Sequence, residues 1–298
     1  MIGSDNCDSN SVWEQPATAI AIYLLVILVC PVIMRELAVL IACTRIYTPA
    51  MSKNVLITGA GSGFGKLAAL ALAQRGHHVI ATTETEQQAS ELKAEAPQLT
   101  VIKLDITSND VKKVHDFEID VLINNAGAGQ TGPIVDIPMD RLRHLFEVNV
   151  FGTMAITQEV LKDMVPRKSG RVIIMSSIAG VFSAPAFGPY SMTKHALEAM
   201  GKAMRMEVAP LGIDVTIINP GPYATGFNDR MVDSMWEWFG DQSLNKAAED
   251  LFKMVGQFTV TDQMNPVEVS DRLVELVEAE TTTENNFVPV DIKERLGM

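Results

Sequence analysis

Residues 54–65 read NVLITGAGSGFG: a short apolar run that breaks into a glycine-rich turn and leads into a helical pattern from Lys66 to Arg75. Strand, glycine turn and helix in that order turn backbone N–H groups and the positive end of a helix toward one point, where a pyrophosphate binds well. Gly59, Gly63 and Gly65 give the spacing G-x-x-x-G-x-G, and Phe64 stands where a G-x-G-x-x-G pattern has its last glycine. Such a turn also occurs as ordinary chain reversal, so its meaning depends on the rest of the chain.

The rest of the chain repeats the theme. Apolar strand patterns recur at 78–83 (HVIATT), 99–107 (LTVIKLDIT), 120–123 (DVLI) and 171–177 (RVIIMSS), and within 213–225 (IDVTIINPGPYAT) before a Pro-Gly turn, with helical stretches between them. Continuous apolar strands alternating with helices predict a doubly wound parallel sheet of Rossmann type, with the α/β class covering residues 51–298 as a single domain. A last strand is expected at 285–290 and an amphipathic helix at 266–280. At 47% hydrophobic and 20% charged, the chain can bury a large core. A net charge of −12 argues against a nucleic-acid partner. The five histidines form no metal-ligand spacing with any cysteine.

The second strand ends at Thr83-Glu84, about 20 residues past the turn, where an acidic residue hydrogen-bonds the adenosine ribose of NAD. Glu84 would repel a 2′-phosphate, and no Arg or Lys stands beside it or inside the glycine turn. NAD is therefore expected over NADP. Glu84 also reads as a plain exposed residue at a helix start.

Tyr190 and Lys194, in YSMTK, lie one helical turn apart on the same face. An ammonium group near a phenol favours the phenolate and lowers its pKa, so such a pair can exchange a proton with a substrate oxygen. Ser177 stands 13 positions before Tyr190. A hydroxyl at that strand end can donate to a substrate carbonyl.

TGAGSGFG, LDIT, NNAG, VNVFG, MSSIAG, YSMTK and NPGPYAT follow one another across residues 54–225. As a set, and in this order, they resemble the short-chain dehydrogenase/reductase family. The resemblance implies an enzyme that binds NAD or NADP and moves a hydride to or from an alcohol or carbonyl. It implies cofactor contacts from Thr58, Gly59, Ser62, Gly63, Phe64 and Gly65 in the turn and from Thr83 and Glu84. It places Asp105 and Ile106 against the adenine, and Asn125, Ala126 and Gly127 on the ribose side. Tyr190 and Lys194 would meet the nicotinamide ribose, and Pro220, Gly221, Tyr223 and Thr225 the nicotinamide end. Asn149 matches the active-site Asn that holds a water in a proton relay to the Lys. Family members commonly pair into homo-oligomers. The stretch from Asp105 to Asn124 spans only 19 positions, which leaves room for a short helix at about 108–116.

Residues 226–262 are rich in large apolar groups, among them Phe227, Met231, Met235, Trp236, Trp238, Phe239, Phe252, Met254 and Phe258. A lid lined in this way suits a lipophilic alcohol or ketone. Its acidic residues (Asp229, Asp233, Glu237, Asp241) argue against a coenzyme A thioester. The same groups would equally serve to pack a helix pair onto the core. The rivals are an NADP-dependent ketoreductase, a catalytically silent cofactor-binding sensor or scaffold, and a membrane-tethered interaction protein.

Residues 1–50 form an apolar extension. Residues 17–34 are 18 uncharged apolar positions, long enough for a transmembrane segment. Acidic residues precede the run and Arg35, Arg45 and Lys53 follow it, so the positive-inside rule puts the catalytic domain in the cytoplasm. Met51, directly before the first strand, also reads as a natural start, which would make the protein soluble and cytoplasmic.

Overall fold

Seven strands form one parallel sheet in the order β3-β2-β1-β4-β5-β6-β7. The strands are β1 (Asn54–Ile57), β2 (His78–Thr83), β3 (Thr100–Lys103), β4 (Val121–Asn124), β5 (Gly170–Met175), β6 (Ile213–Pro220) and β7 (Asn285–Val288). The computed structural model describes residues 52–297, so the expected transmembrane segment at 17–34 lies outside the described residues. Among the described residues no helix is long and apolar enough to cross a membrane.

Alternation along each strand builds two cores. Val55 and Ile57 of β1 point to one face, where they meet Ala68, Ala69 and Leu72 of α1 (Gly63–Gln74) and Val269 and Leu273 of α8 (Val267–Glu278). Leu56 points to the other face and joins Ile156 and Val160 of α4 (Thr153–Arg167) and Leu197 and Met204 of α5 (Gly188–Val208). Both faces are covered, which is why the strands carry unbroken apolar runs. The remaining helices are α2 (Glu86–Glu95), α3 (Met139–Phe146), α6 (Phe227–Asp233), α7 (Glu249–Val260) and α9 (Ile292–Arg295).

Several boundaries differ from the sequence reading, each for a local reason. The strand expected over 99–107 stops at Lys103. There the Asp105 carboxylate accepts from the N–H (2.8 Å) and hydroxyl (2.7 Å) of Thr107, closing a turn in place of a ladder. The shortened crossover is a 3-10 helix, Asn109–Asp116. Its buried Val111 and Val114 sit three apart, the repeat that a 3-10 helix stacks on one side. β7 ends at Val288, before Pro289, which has no N–H to give a ladder. The strand order reverses between β1 and β4, so the crevice beyond their carboxyl ends is where an open α/β sheet binds ligands.

Candidate functional site

That crevice is held open by one side chain from each half of the switch point. Thr58, 2% exposed, directly follows β1, and its hydroxyl accepts from the N–H groups of Asn125 (3.0 Å) and Ala126 (2.9 Å). Asn125 replies with its amide, which donates to the carbonyls of Thr58 (2.8 Å) and Gly59 (3.0 Å). The glycine turn is therefore tied to the chain after β4. Gly59 and Gly63 have φ of +64° and +56°, the left-handed region that favours glycine. A side chain at Gly65 would place its Cβ 2.4 Å from Asn125 Nδ2 and 2.8 Å from the Gly59 carbonyl. Gly65 thus lets α1 pack close to the turn, a job separate from touching a ligand.

A cavity of about 750 Å³ runs from this turn across the carboxyl ends of the strands. Its walls include Gly59, Ser62, Gly63, Phe64, Thr83, Glu84, Asp105, Ile106, Asn125, Ala126 and Gly127 at one end. Ser177, Tyr190, Lys194, Pro220, Gly221, Tyr223 and Thr225 line the other. Thr58, Gly65 and Asn149 do not line it; they shape the walls from behind. Glu84 is exposed at the rim, and neither Lys nor Arg stands next to it on the cavity wall. The left-handed turn, the missing Cβ atoms and the cavity length suit a dinucleotide.

At the far end, α5 presents Tyr190 and Lys194 on the buried face that the four-residue spacing predicts. Lys194 Nζ donates to the Met175 carbonyl at 2.9 Å and sits 5.5 Å from the centre of the Tyr190 ring. Ser177 caps the 3-10 turn Ile178–Gly180, accepting from the Ala179 N–H at 3.1 Å. It also meets the Tyr190 phenol, which pulls the phenol pKa down. Ser176, by contrast, has a buried hydroxyl with no partner among the described residues. Burial is the largest influence on the phenol and pushes its pKa up, while Ser177 acts in the opposite sense. Burial also brings Lys194 itself down to about 8, while the Glu198 carboxylate acts in the opposite sense.

Asn149 lies in a π-helical turn, Glu147–Gly152, between α3 and α4. It is 1% exposed. Its Oδ1 accepts from the Ala128 N–H (2.7 Å), and its Nδ2 donates to the Ala128 carbonyl and the Thr193 hydroxyl (both 3.0 Å). Both amide protons are spent, so the side chain has none to offer a water. A Cβ on Gly127 would lie 3.3 Å from Asn149 Oδ1 and 3.9 Å from Lys194 Nζ, so these three residues converge.

Tyr223 is a second departure. Its ring is 1% exposed and packs edge-on against Phe64, with centroids 5.7 Å apart. Its hydroxyl donates to Glu268 at 2.8 Å. The ring at this position is therefore part of the core, and its hydroxyl reaches the exposed Glu268.

The lid divides in two. Phe227, Met231, Met254 and Phe258 line the cavity. Met235, Trp236, Trp238, Phe239 and Phe252 instead form a separate small core with Ala186 and Ala248. One group of these apolar side chains therefore borders the cavity, and the other fills a core of its own. Sequence reasoning missed the opposite wall, the loop after Ser177, which contributes Ile178, Phe182 and Phe187. Its signal was the apolar composition of IAGVFSAPAF, between two stronger motifs.

Comparison with known proteins agrees with this geometry. The family model for short chain dehydrogenase matches residues 53–236. The "Uncharacterized oxidoreductase YusZ" of Bacillus subtilis is 34% identical over 244 residues, 76% of this chain and 85% of that protein. The "NADPH-dependent 3-dehydrocapnine reductase" of Ornithobacterium rhinotracheale is 35% identical over 187 residues, 58% of this chain and 66% of that protein. A crystal structure of a short-chain dehydrogenase from Streptomyces avermitilis superposes with a TM-score of 0.71 at 30% identity, covering 83% of this chain and 91% of that one. The chain belongs to the short-chain dehydrogenase/reductase family and is an NAD(P)-dependent oxidoreductase.

Proposed function

We propose that this protein interconverts a lipophilic alcohol and its ketone or aldehyde, with NAD preferred to NADP. One observation carries the reading: Ser177, Tyr190 and Lys194 share a wall of the cavity whose other end is the glycine turn. The bound nicotinamide supplies the hydride in reduction and accepts it in oxidation. In reduction Tyr190 gives its proton to the substrate oxygen, and in oxidation it takes one back. Burial raises the phenol pKa, which suits the donor role, because a protonated phenol is then the resting form. Ser177 donates to the same substrate oxygen and stabilises the charge that develops there. Lys194, charged below pH about 8, favours the phenolate that Tyr190 leaves behind and would hold the nicotinamide ribose of a bound cofactor. Asn149 acts by holding Ala128 and Gly127 against Lys194.

The preference for a lipophilic substrate rests on Phe182, Phe187, Phe227, Met231, Met254 and Phe258, which surround the space beside Tyr190. The preference for NAD rests on Glu84 at the rim with no cation beside it. The 3-dehydrocapnine reductase is named as NADPH-dependent, so the adenosine end needs its own test. Thermal shifts with NADH and with NADPH provide it, since a ligand of the folded state raises the melting temperature. The expected outcome is a larger shift with NADH, and a smaller difference between the two in Glu84→Ala. A larger shift with NADPH in the wild type would overturn the cofactor assignment.

A further inference from the structure

Beneath the proton-transfer pair lies a carboxylate that the proposed mechanism does not use. Glu198 follows Lys194 by one turn of α5 and is 4% exposed. Burying a carboxylate is costly unless donors surround it. Here they do. Asn219 Nδ2 donates to one oxygen at 2.6 Å, Asn285 Nδ2 to the other at 2.7 Å, and Lys202 Nζ stands 3.6 Å from the latter. Asn219, 0% exposed, also donates to the Ser177 carbonyl at 3.2 Å, and its own Oδ1 accepts from Asn285 at 3.0 Å. The pocket is tight: a Cβ on Gly180 would meet the Ser176 hydroxyl at 2.5 Å and Glu198 Cγ at 3.0 Å. Every polar group touching the carboxylate is a donor, which is what an ionised carboxylate accepts.

We infer that Glu198 is a positioning residue of the proton-transfer site, whose buried negative charge keeps Lys194 protonated and which, through Asn219, fixes the main chain at Ser177. The inference rests on the reading of Tyr190 and Lys194 as the proton-transfer pair. No direct ion pair joins Lys194 and Glu198 among the described residues, so the effect is through space. It acts between two groups that are both out of water, where charges are poorly screened. The charged groups facing Glu198 are Lys194 and Lys202 of its own helix; β6 and β7 bring only the amides of Asn219 and Asn285, and the end of β5 brings only Ser176. Around Lys194, the loop after β4 brings Gly127, β5 the Met175 carbonyl, and α5 Tyr190 and Glu198. Among the described residues, Glu198 is the carboxylate that acts on Lys194. Its direction is to hold Lys194 up against burial, which alone would carry a lysine lower.

The test titrates Lys194 directly in the full chain. Trace acetylation with acetic anhydride from pH 6 to 10, with the acetyl-Lys194 peptide measured by mass spectrometry, reports the fraction of free amine. In the wild type the midpoint is expected near pH 8. In Glu198→Gln, which keeps size and hydrogen-bonding reach but removes the charge, labelling at pH 7 is expected to rise on the order of ten-fold. Glu198→Asp, which restores the charge, is expected to reverse most of that rise. A Gln midpoint equal to wild type, or equal shifts in Gln and Asp, would overturn the inference, the second because it would report packing alone. Should the Gln variant not fold, the wild type still decides. A fully buried lysine without a counter-charge titrates at roughly 5–6, so a wild-type midpoint below about 6.5 would also overturn it. Labelling needs neither substrate nor cofactor. Failure of the catalytic reading would show instead as retained turnover in Tyr190→Phe.

Discussion

Thr58→Val replaces a hydroxyl by a methyl group of the same shape at the hinge of the cofactor turn. In the wild type the hydroxyl is the acceptor for the Ala126 N–H and one of two acceptors for the Asn125 N–H, whose other is the Ile123 carbonyl at 3.0 Å. Valine therefore orphans one half-buried N–H and weakens the environment of a second. A buried donor left without a partner costs about 1–3 kcal/mol. Because the volume is conserved, no cavity adds to that figure. The expected loss is about 2 kcal/mol, or roughly 4–8 °C in melting temperature for a domain of this size. Cofactor affinity should fall with it, since Asn125 holds the carbonyls of Thr58 and Gly59 from the same loop. Thr58→Ser, which keeps the acceptor, is expected to recover most of both. Urea unfolding monitored by circular dichroism, together with NADH fluorescence titration, measures the two quantities. A valine variant within about 0.5 kcal/mol of wild type, with unchanged NADH affinity, would refute the claim that this hydroxyl organises the turn.

The pH behaviour of Lys194 should split activity from stability. Its folded pKa of about 8 lies below the ordinary lysine value of 10.5. The unfolded chain therefore binds more protons between those two pH values, and this group's contribution to stability rises with pH across that window. A penalty on the order of 3 kcal/mol is present below pH 8 and vanishes by about 10.5. The difference in stability between wild type and Lys194→Met should therefore change between pH 8 and 10.5, while turnover falls above pH 8 as the ammonium is lost; a flat difference across that range would argue against a buried charge. At the substrate end, Met254→Ser and Phe258→Ser alter exposed side chains, 63% and 74% accessible, that border the cavity. They should raise KM for a long-chain alcohol by several-fold to ten-fold with kcat little changed, the scale of about 1 kcal/mol of lost apolar contact. An unchanged KM for every lipophilic substrate would remove this wall from the site.

Much of this molecule was legible because its signals are local. The strand at 78–83 and the glycine turn are short-range patterns, and the spacing from Ser177 to Lys194 survives folding because a 3-10 turn and one helix carry it. What could not be read depends on partners far along the chain. Thr58 reads as the first residue of the glycine turn, and its partners lie 67 and 68 positions away. Glu198 carries no mark of burial in the sequence, and it is buried only because Asn219 and Asn285 arrive from 21 and 87 positions away. The Tyr190 phenol was expected to be lowered by its neighbour, yet burial, which the sequence does not state, sets its direction. Residues 226–262 could not be divided from the sequence because an apolar side chain looks the same whether it faces a cavity or fills a core.

The central claim is that Tyr190 moves the proton, and Tyr190→Phe tests it with little else changed. The measurement is turnover of a panel of lipophilic alcohols and ketones by wild type and variant, followed at the NADH absorbance, with cofactor affinity measured alongside. The account requires wild-type turnover and a variant that binds cofactor about as well yet loses at least ~10²-fold in kcat. A Tyr190→Phe enzyme that binds cofactor and keeps kcat within about ten-fold of wild type would contradict it, and the proton would then have to come from another group.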